Sequence, residues 1–204
     1  MKTISVVGTM KMSIPDGFTQ MPSGPQDPEY SSVYMKQGES WSGLVAVFPI
    51  NAADAMPFEN PQAVIDGIHS ALGEDQGLIE VNGGTTESGR RFIYSIVKSK
   101  NPEMGGVQYI LTYHQEFSDG VIDIQGYFNE AGITGQRDST VMEMAMRQGA
   151  INTTLTGWMQ DPYDADYKNG FLMNLSEQKY LDEHFPGHPL TQLRNLTDFM
   201  IENN

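Results

Sequence analysis

The 204-residue sequence predicts an α+β fold, in which helices pack on an antiparallel β-sheet of about six to seven strands. Three observations support this prediction. Short apolar or alternating segments recur between turn sequences through the first 130 residues, as in strands joined by hairpins. A clearly patterned helix interrupts the series, and a second helical pattern follows it. Helices on either side of a strand meander predict helix layers against the sheet.

The first predicted strands precede the first helix. MKMSI at 10–14 alternates apolar and polar residues, and Pro15-Asp16-Gly17 follows it as a turn sequence. A proline-rich loop at 22–29 leads to predicted strands at 31–36 and 42–50. The second of these, SGLVAVFPI, is so apolar that we expect it to be buried on both faces.

The first helix is predicted to follow Asn60. Asn60 can cap the helix, Pro61 suits its first position, and Gly73 suits its end. Between them, apolar residues recur at helical spacing, namely Val64, Ile68, Ala71 and Leu72.

A meander of four strands should follow this helix. The predicted strands are 77–81, 90–99, 106–117 and 121–128, with joins at 82–89, 100–106 and Asp119-Gly120. If Asp119-Gly120 is a two-residue hairpin loop, Phe117 pairs with Ile122 and Tyr113 with Gly126. One face of this hairpin is then largely apolar, and the other carries His114, Glu116, Asp123 and Gln125.

The second helix is predicted over 139–153. Thr140 and Glu143 match a capping box at its start. Met142, Met144 and Met146 make it rich in methionine, which is typical of a core helix. An adaptable apolar groove for a partner helix is the alternative, because methionine repacks readily.

The order of these elements resembles the PsbP-like and DcrB-like superfamily. The segments that carry the resemblance are MSIPDGF, NPQAVIDGIHSAL, GRRFIYSIV and GVQYILTYHQEF, within residues 1–157. The resemblance implies an α/β/α sandwich around an antiparallel sheet. Known members are mostly non-enzymatic: a photosystem accessory subunit, a small-GTPase-binding nuclear import factor and bacterial chaperones of secreted toxins. It therefore implies a protein-binding domain with no catalytic residues.

Residues 158–204 extend beyond the part covered by this resemblance. The segment is acidic, yet apolar residues recur along it, namely Phe171, Leu175, Tyr180, Phe185, Leu193 and Leu196. Such regular apolar residues are not typical of a solvated tail. We therefore expect an acidic C-terminal extension that docks on a domain formed by residues 1–157.

Composition excludes several classes of function. The formal net charge of -14 disfavours binding to nucleic acid or to an anionic membrane surface. The longest apolar run, at 43–50, is far shorter than the roughly 20 residues that span a bilayer, so membrane insertion is not expected. The start of the sequence does not match a secretory signal, which favours a cytoplasmic location. Zero cysteines exclude disulfides and thiol catalysis.

Two segments are rich in residue types that bind metal ions. The first segment contains Asp161, Asp164 and Asp166. Asp164 and Asp166 fit the first and third positions of a calcium loop, but Lys168 and Leu175 occupy positions that an EF-hand gives to ligands. A turn whose carboxylates bind local backbone amides is the favoured interpretation, and a looser oxygen site stays open. His184 and His188 have the spacing of a zinc helix, but a Pro-Gly pair separates them. His188 is better placed near a helix start, and Phe185 as an anchor.

The sequence therefore predicts a non-enzymatic, cytoplasmic protein-binding module, such as an adaptor, a secretion chaperone or an immunity-type protein. Its partner would be another protein, bound through a sheet face or the Met142, Met144 and Met146 groove, and no cofactor is predicted. The alternative is an enzyme or small-ligand binder that uses His114, Glu116 and Asp123, the one acid-base cluster that the predicted hairpin brings together.

Overall fold

A computed structural model of the protein describes residues 2–101 and 105–204, and it confirms the α+β fold. The predicted join at 100–106 therefore lies partly outside the described residues. Within the described part of the chain, seven antiparallel strands form the main sheet in the order β3-β4-β5-β9-β8-β7-β6, and β1 and β2 form a separate hairpin sheet. The strands are β1 Lys2–Val7, β2 Met10–Ile14, β3 Thr19–Gln20, β4 Ser32–Gln37, β5 Trp41–Ile50, β6 Gln76–Thr85, β7 Arg91–Lys100, β8 Val107–Phe117 and β9 Gly120–Glu130. The α-helices are α1 Pro61–Ala71, α2 Gln136–Arg147 and α3 Pro189–Asn203, and short 3-10 turns lie at Ala52–Asp54, Leu175–Glu177 and Lys179–His184.

One face of the sheet, here called the inner face, is covered by α3 and the β1–β2 hairpin. Leucines of α3 recur at helical spacing on the side that meets the sheet, and Leu190 and Leu193 are fully buried. They pack in one core with strand residues of the inner face, including Val45, Val47, Tyr109, Leu111, Tyr113, Ile122, Ile124 and Phe128. The main hydrophobic core therefore lies between α3 and the sheet.

The opposite face, here called the outer face, carries α1 over β6 and β7. Val64 and Ile65 of α1 pack with Leu78, Val81 and Ile93 of these strands. The predicted helix start is confirmed, because the side chain of Asn60 accepts a hydrogen bond from the Ala63 N–H at 3.1 Å.

Strand β5 corrects one prediction. Its residues alternate between the two faces: Val45 and Val47 are buried, whereas Leu44 is 39% exposed. The expected burial on both faces is wrong, because α3 covers only the inner face of this strand.

The hairpin between β8 and β9 has a different register from the predicted one. Phe117 pairs with Gly120 and Tyr113 with Ile124, so that Ser118 and Asp119 form the loop. The shift from the predicted pairing is two residues. Because side chains alternate with a period of two, every residue keeps its predicted face. His114 lies directly opposite Asp123.

Helix α2 begins at Gln136 and ends at Arg147, so its predicted bounds of 139 and 153 are wrong. Gly135 precedes it with φ 69°, a left-handed conformation that favours glycine. The Thr140 hydroxyl lies inside the helix and donates to the Gln136 carbonyl at 2.8 Å, so it does not form the predicted cap. Val141 and Ala145 pack against later residues of the chain, including Ile151, Trp158 and Leu181.

Residues 158–188 run across the molecule as turns and short 3-10 segments before α3 begins. Trp158 and Leu181 are buried with α2, and Met173 joins the main core. The division of the chain at residue 157 into a domain and an extension stays a prediction. Among the described residues, no helix is long and apolar enough to cross a membrane.

Candidate functional site

The part of the outer face that α1 leaves open forms a continuous patch on four neighbouring strands. Cross-strand pairing places its residues side by side: Met35 pairs with Leu44, Leu44 with Tyr127, and Tyr127 with Ile110. We call this patch the uncharged face; it consists of Val33, Met35, Leu44, Ala46, Gln108, Ile110, Thr112, Gln125, Tyr127 and Asn129. Its side chains are half-buried or, at Leu44, exposed.

The polar members of the uncharged face are held in place by hydrogen bonds to one another. Gln108 donates to the Asn129 side-chain oxygen at 2.9 Å, and Thr112 lies 3.3 Å from the Gln125 oxygen. The Gln125 amide in turn donates to the carboxylate of Asp123 at 2.9 Å. The apolar row is therefore flanked by polar side chains that are hydrogen-bonded to other protein groups.

No side chain of the uncharged face carries a charge. Charged residues make up 19% of the chain, and a sheet face open to water ordinarily carries them on alternate positions. Acidic residues border it instead: exposed Glu39 lies in the turn before β5, and exposed Asp54 lies in the turn after it. A centre depleted of charge, with aromatic and methionine side chains and a polar border, is the composition of a protein interface.

The predicted acid-base cluster lies on the same outer face but is covered by the segment that follows β5. His114 and Asp123 are 5% and 6% exposed. The His114 Nδ1 accepts the Met56 N–H at 2.9 Å, and its Nε2 lies 3.4 Å from Asp123. These two residues are therefore not open to solvent, and Met56, in the segment after β5, contacts the His114 ring directly.

The third member of that cluster, Glu116, is separated from the other two by its own ion pair. Both of its oxygens accept hydrogen bonds from Arg91 at 2.6 Å, which lower the pKa of the Glu116 carboxyl. Arg91 also pairs with Glu59 at 2.6 Å. The structure therefore places His114 with Asp123, and Glu116 with Arg91.

The three methionines of α2 do not share one side of the helix. Met142 is half-buried beside Val141 and Ala145, whereas Met144 and Met146 are 46% and 40% exposed. Residues two positions apart on a helix point in nearly opposite directions, so Met144 faces away from the other two. The structure does not bring this predicted groove together with the cluster at His114.

A buried ion pair joins the C-terminal part of the chain to the sheet. The Lys98 ammonium donates to Glu177 at 2.8 Å, and both side chains are essentially fully buried. Glu177 also accepts from the Tyr109 hydroxyl at 3.1 Å and from the Asn174 N–H at 2.7 Å. Burial and the nearby carboxylate raise the pKa of Tyr109, so that its phenol stays a hydrogen-bond donor.

Two buried arginines extend this network around Asp182. Arg194 contacts Asp182 at 3.1 Å and Glu80 at 3.0 Å. Arg137 donates to Asp182 at 3.0 Å, and its other donors reach the Ser176 and Gln178 carbonyls and the Thr191 hydroxyl. Because these guanidinium groups are used by the protein itself, the network has the contacts of a structural element.

A cleft of about 340 Å³ lies beside this network, between α2 and the loop before α3. Arg137, Glu130 and His188 line it, and Ile133 on its border is 82% exposed. His188 lies at the start of α3, as predicted, and it also caps the helix, since its Nδ1 accepts the Leu190 N–H at 3.3 Å. Its Nε2 lies 3.7 Å from Glu130. Phe185 packs against the α2 cluster as the predicted anchor.

Glu130 is the group in this cleft whose ionisation should affect stability. Burial alone would raise the pKa of its carboxyl, but His188 and the N–H groups of Gly135 and Val107 lower it below its ordinary value of 4.5. A lowered pKa means that the stabilisation is complete above the ordinary pKa and is lost as pH falls through the folded-state pKa.

We predict that Glu130→Gln lowers the free energy of unfolding by on the order of 1 kcal/mol at pH 7. The difference from wild type should shrink as pH falls below about 4.5, because wild-type Glu130 then becomes protonated. Urea unfolding of both proteins at pH 7 and pH 3 measures this difference in the free energy of unfolding. Glu143→Gln on the exposed side of α2 is the control and should show little difference at either pH. If Glu130→Gln lowered the free energy of unfolding equally at both pH values, the lowered pKa of Glu130 would be contradicted.

The carboxylates at 161–166 bind backbone amides, as the turn interpretation predicts. Asp161 accepts the N–H groups of Tyr163 and Asp164 at 2.9 Å, and Asp164 accepts that of Asp166 at the same distance. Asp161 is buried and also bonds His69 Nε2 at 2.9 Å, a long-range contact that the sequence did not indicate.

The sequence did not single out the uncharged face. A partial signal was present, because β5 contains no charged residue and β9 has none from Gln125 to Asn129. Recognising one surface needs the pairing of four strands, and the pairing of β5 with β9 joins segments far apart in the sequence.

Comparison with known proteins finds a structural likeness at low sequence identity. No family model matches the chain, and no curated protein matches it. Among solved structures, the Saccharomyces cerevisiae Ran-binding protein Mog1p matches with a TM-score of 0.41 and 15% identity, over 70% of this chain and 82% of that chain. Membership of the PsbP-like and DcrB-like superfamily stays a prediction.

Proposed function

We propose that the protein is a non-enzymatic binding module that holds another protein on its uncharged face. The observation that carries this proposal is the row Met35, Leu44, Tyr127 and Ile110, accessible on an open sheet face without a charged side chain. Exposed apolar surface costs solubility, and in a soluble fold it commonly marks an interaction site.

The charges around the face indicate the chemistry of the partner. The chain has a net charge of -14, and Glu39 and Asp54 are exposed at the two ends of β5. Opposite charges across an interface speed association and exclude partners of the same sign. The partner should therefore present an apolar centre surrounded by basic residues.

The size of the face supports a partner that also contacts its border. Four strands spaced roughly 4.8 Å apart give a patch about 15 Å wide between the outer strand axes. A stable interface covers about 800 Å² of each partner, which is more than such a patch supplies. The acidic border should therefore form part of the interface, and binding should weaken as salt concentration rises.

The acid-base alternative gains no support from the contacts of His114. Both of its ring nitrogens face protein groups, Met56 N–H and Asp123, and residues 51–58 separate it from solvent. A substrate would reach the pair only if that segment moved.

We predict that Leu44→Glu weakens partner binding by about tenfold or more while the protein stays folded. A carboxylate at this position would be desolvated in the complex but would stay partly hydrated in the free protein, where Leu44 is 39% exposed. Immobilised wild type and variant are compared for proteins that they retain from a lysate of the source cells.

Met146→Glu is the matched control, because Met146 is 40% exposed on α2 and the charge change is the same. A partner retained by wild type and by Met146→Glu, but not by Leu44→Glu, supports the proposal. If both variants retained the partner protein equally, binding on the uncharged face would be contradicted.

A further inference from the structure

The outer edge of β6 is covered by residues 161–171, here called the strap. The hydroxyl of Tyr163 accepts the Val81 N–H at 2.6 Å and donates to the Val81 carbonyl at 3.0 Å. An antiparallel neighbour would make the same pair of hydrogen bonds with an outward-facing residue. One phenol thus takes the place of a further strand at Val81.

At the other end of the strap, two glycines let its backbone meet that of β6. The Phe171 N–H donates to the Gln76 carbonyl at 2.8 Å. A Cβ on Gly77 would lie 1.8 Å from the Phe171 carbonyl oxygen, and one on Gly170 would lie 2.4 Å from that of Gln76. Both are far inside van der Waals distance, so the close contact depends on glycine at both positions.

The strap is also fastened to α1, independently of β6. Asp161 bonds His69 Nε2 at 2.9 Å, and the Tyr167 ring stacks on the His69 ring at 4.1 Å. The Tyr167 hydroxyl donates to the His69 carbonyl at 3.2 Å. These contacts hold the turn that presents Tyr163 to Val81.

Without the strap, β6 would be an uncovered edge strand with the properties that favour pairing to another strand. Its sequence, QGLIEVNGGT, contains one charged residue, Glu80, and Arg194 pairs with that carboxylate at 3.0 Å. Edge strands that lack free charge readily pair with other strands, whereas natural proteins usually protect them with charge, proline or a covering segment. A second copy of the chain supplies an identical strand that can pair about a two-fold axis.

We propose that the strap keeps the β6 edge from pairing with β6 of a second copy, and that the uncovered edge is a self-association site of this protein. The occupant is the antiparallel β6 of the other copy, which replaces the Tyr163 hydroxyl at Val81. This site is separate from the uncharged face, so either proposal can fail alone.

The test compares the double variant Asp161→Asn, Tyr163→Phe with the control Asp166→Asn, Tyr180→Phe. Both pairs make the same chemical changes, but Asp166 and Tyr180 are exposed. Circular dichroism checks that both variants are folded. Hydrogen exchange of the Val81 amide and sedimentation velocity are then measured at low and high protein concentration.

In dilute solution, the Val81 amide of the strap variant should exchange about tenfold faster than in the control. At high concentration the variant should form a dimer, and Val81 should regain protection as its N–H bonds the second copy. Val81 protection that is unchanged in dilute solution would overturn the covering role of the strap. A folded variant that exposes Val81 yet sediments like the control at every concentration would overturn the self-association site.

Discussion

A chain that ends at Trp158 is expected to lose its cooperative thermal transition and to bind an apolar reporter dye. Leu190, Leu193, Leu196 and Met200 of α3 are at most 2% exposed and lie in the main core. Burial of each contributes about 1.5–3 kcal/mol. Their sum is comparable to the whole stability of a typical domain, about 5–15 kcal/mol.

The truncation would also leave a buried charge without its partner, because Lys98 pairs with Glu177. Differential scanning calorimetry and dye fluorescence of the truncated and full-length chains measure the effect. A truncated chain with the melting temperature of the full-length protein and no dye binding would show that residues 159–204 are an independent segment.

Lys98→Met is expected to destabilise the protein by about 3–5 kcal/mol. The methionine fills nearly the same space, so the loss comes from Glu177, whose carboxylate would stay buried without a cation. Adding Glu177→Gln to Lys98→Met should recover part of the loss, because a neutral amide costs less to bury. Urea unfolding of the two single variants and the double variant gives the coupling energy between the two side chains.

Lys179→Met is the control for this cycle. Lys179 lies 3.4 Å from Asp198, but both side chains are about half exposed. Its removal should change the free energy of unfolding by less than about 1 kcal/mol. If Lys98→Met and Lys179→Met lowered the free energy of unfolding by similar amounts, the buried ion pair would contribute no more to stability than an exposed one.

Local sequence signals predicted most elements of the fold. Asn60 and Pro61 marked the start of α1 because capping and the fixed φ of proline act within one turn. The β8–β9 register was two residues off, since Asp119-Gly120 indicates a hairpin but does not determine which residues close it. The start of α2 was missed because Gly135, not the predicted Thr140, precedes the helix, and Arg137 is anchored by contacts from 176–191.

The contacts across the chain could not be read from local patterns. Lys98, Glu177 and Arg194 look like surface residues in the sequence, because lysine, glutamate and arginine are rarely buried. They are buried because each meets an opposite charge that folding brings from a distant segment. The same applies to His114, which Met56 covers from the loop after β5.

The uncharged face could not be read from local sequence patterns either. Leu44, Tyr127 and Ile110 belong to three strands, and their neighbours in sequence give no indication that they lie side by side. Only the pairing of β5 with β9, and of β9 with β8, produces the row. His114 and Asp123 lie on the outer face, as the hairpin pattern predicted, but both are buried and the open part of that face lies beyond them. Their role in a partner surface stays a prediction.

Site-specific photocrosslinking tests the proposed binding face most directly. A photoreactive phenylalanine analogue replaces Leu44 in one sample and Met146 in another, and each is irradiated in a lysate of the source cells. Binding on the uncharged face predicts a discrete covalent adduct with one protein from position 44 and none from position 146. Adduct formation from position 146 alone, or the same adducts from both positions, would contradict it.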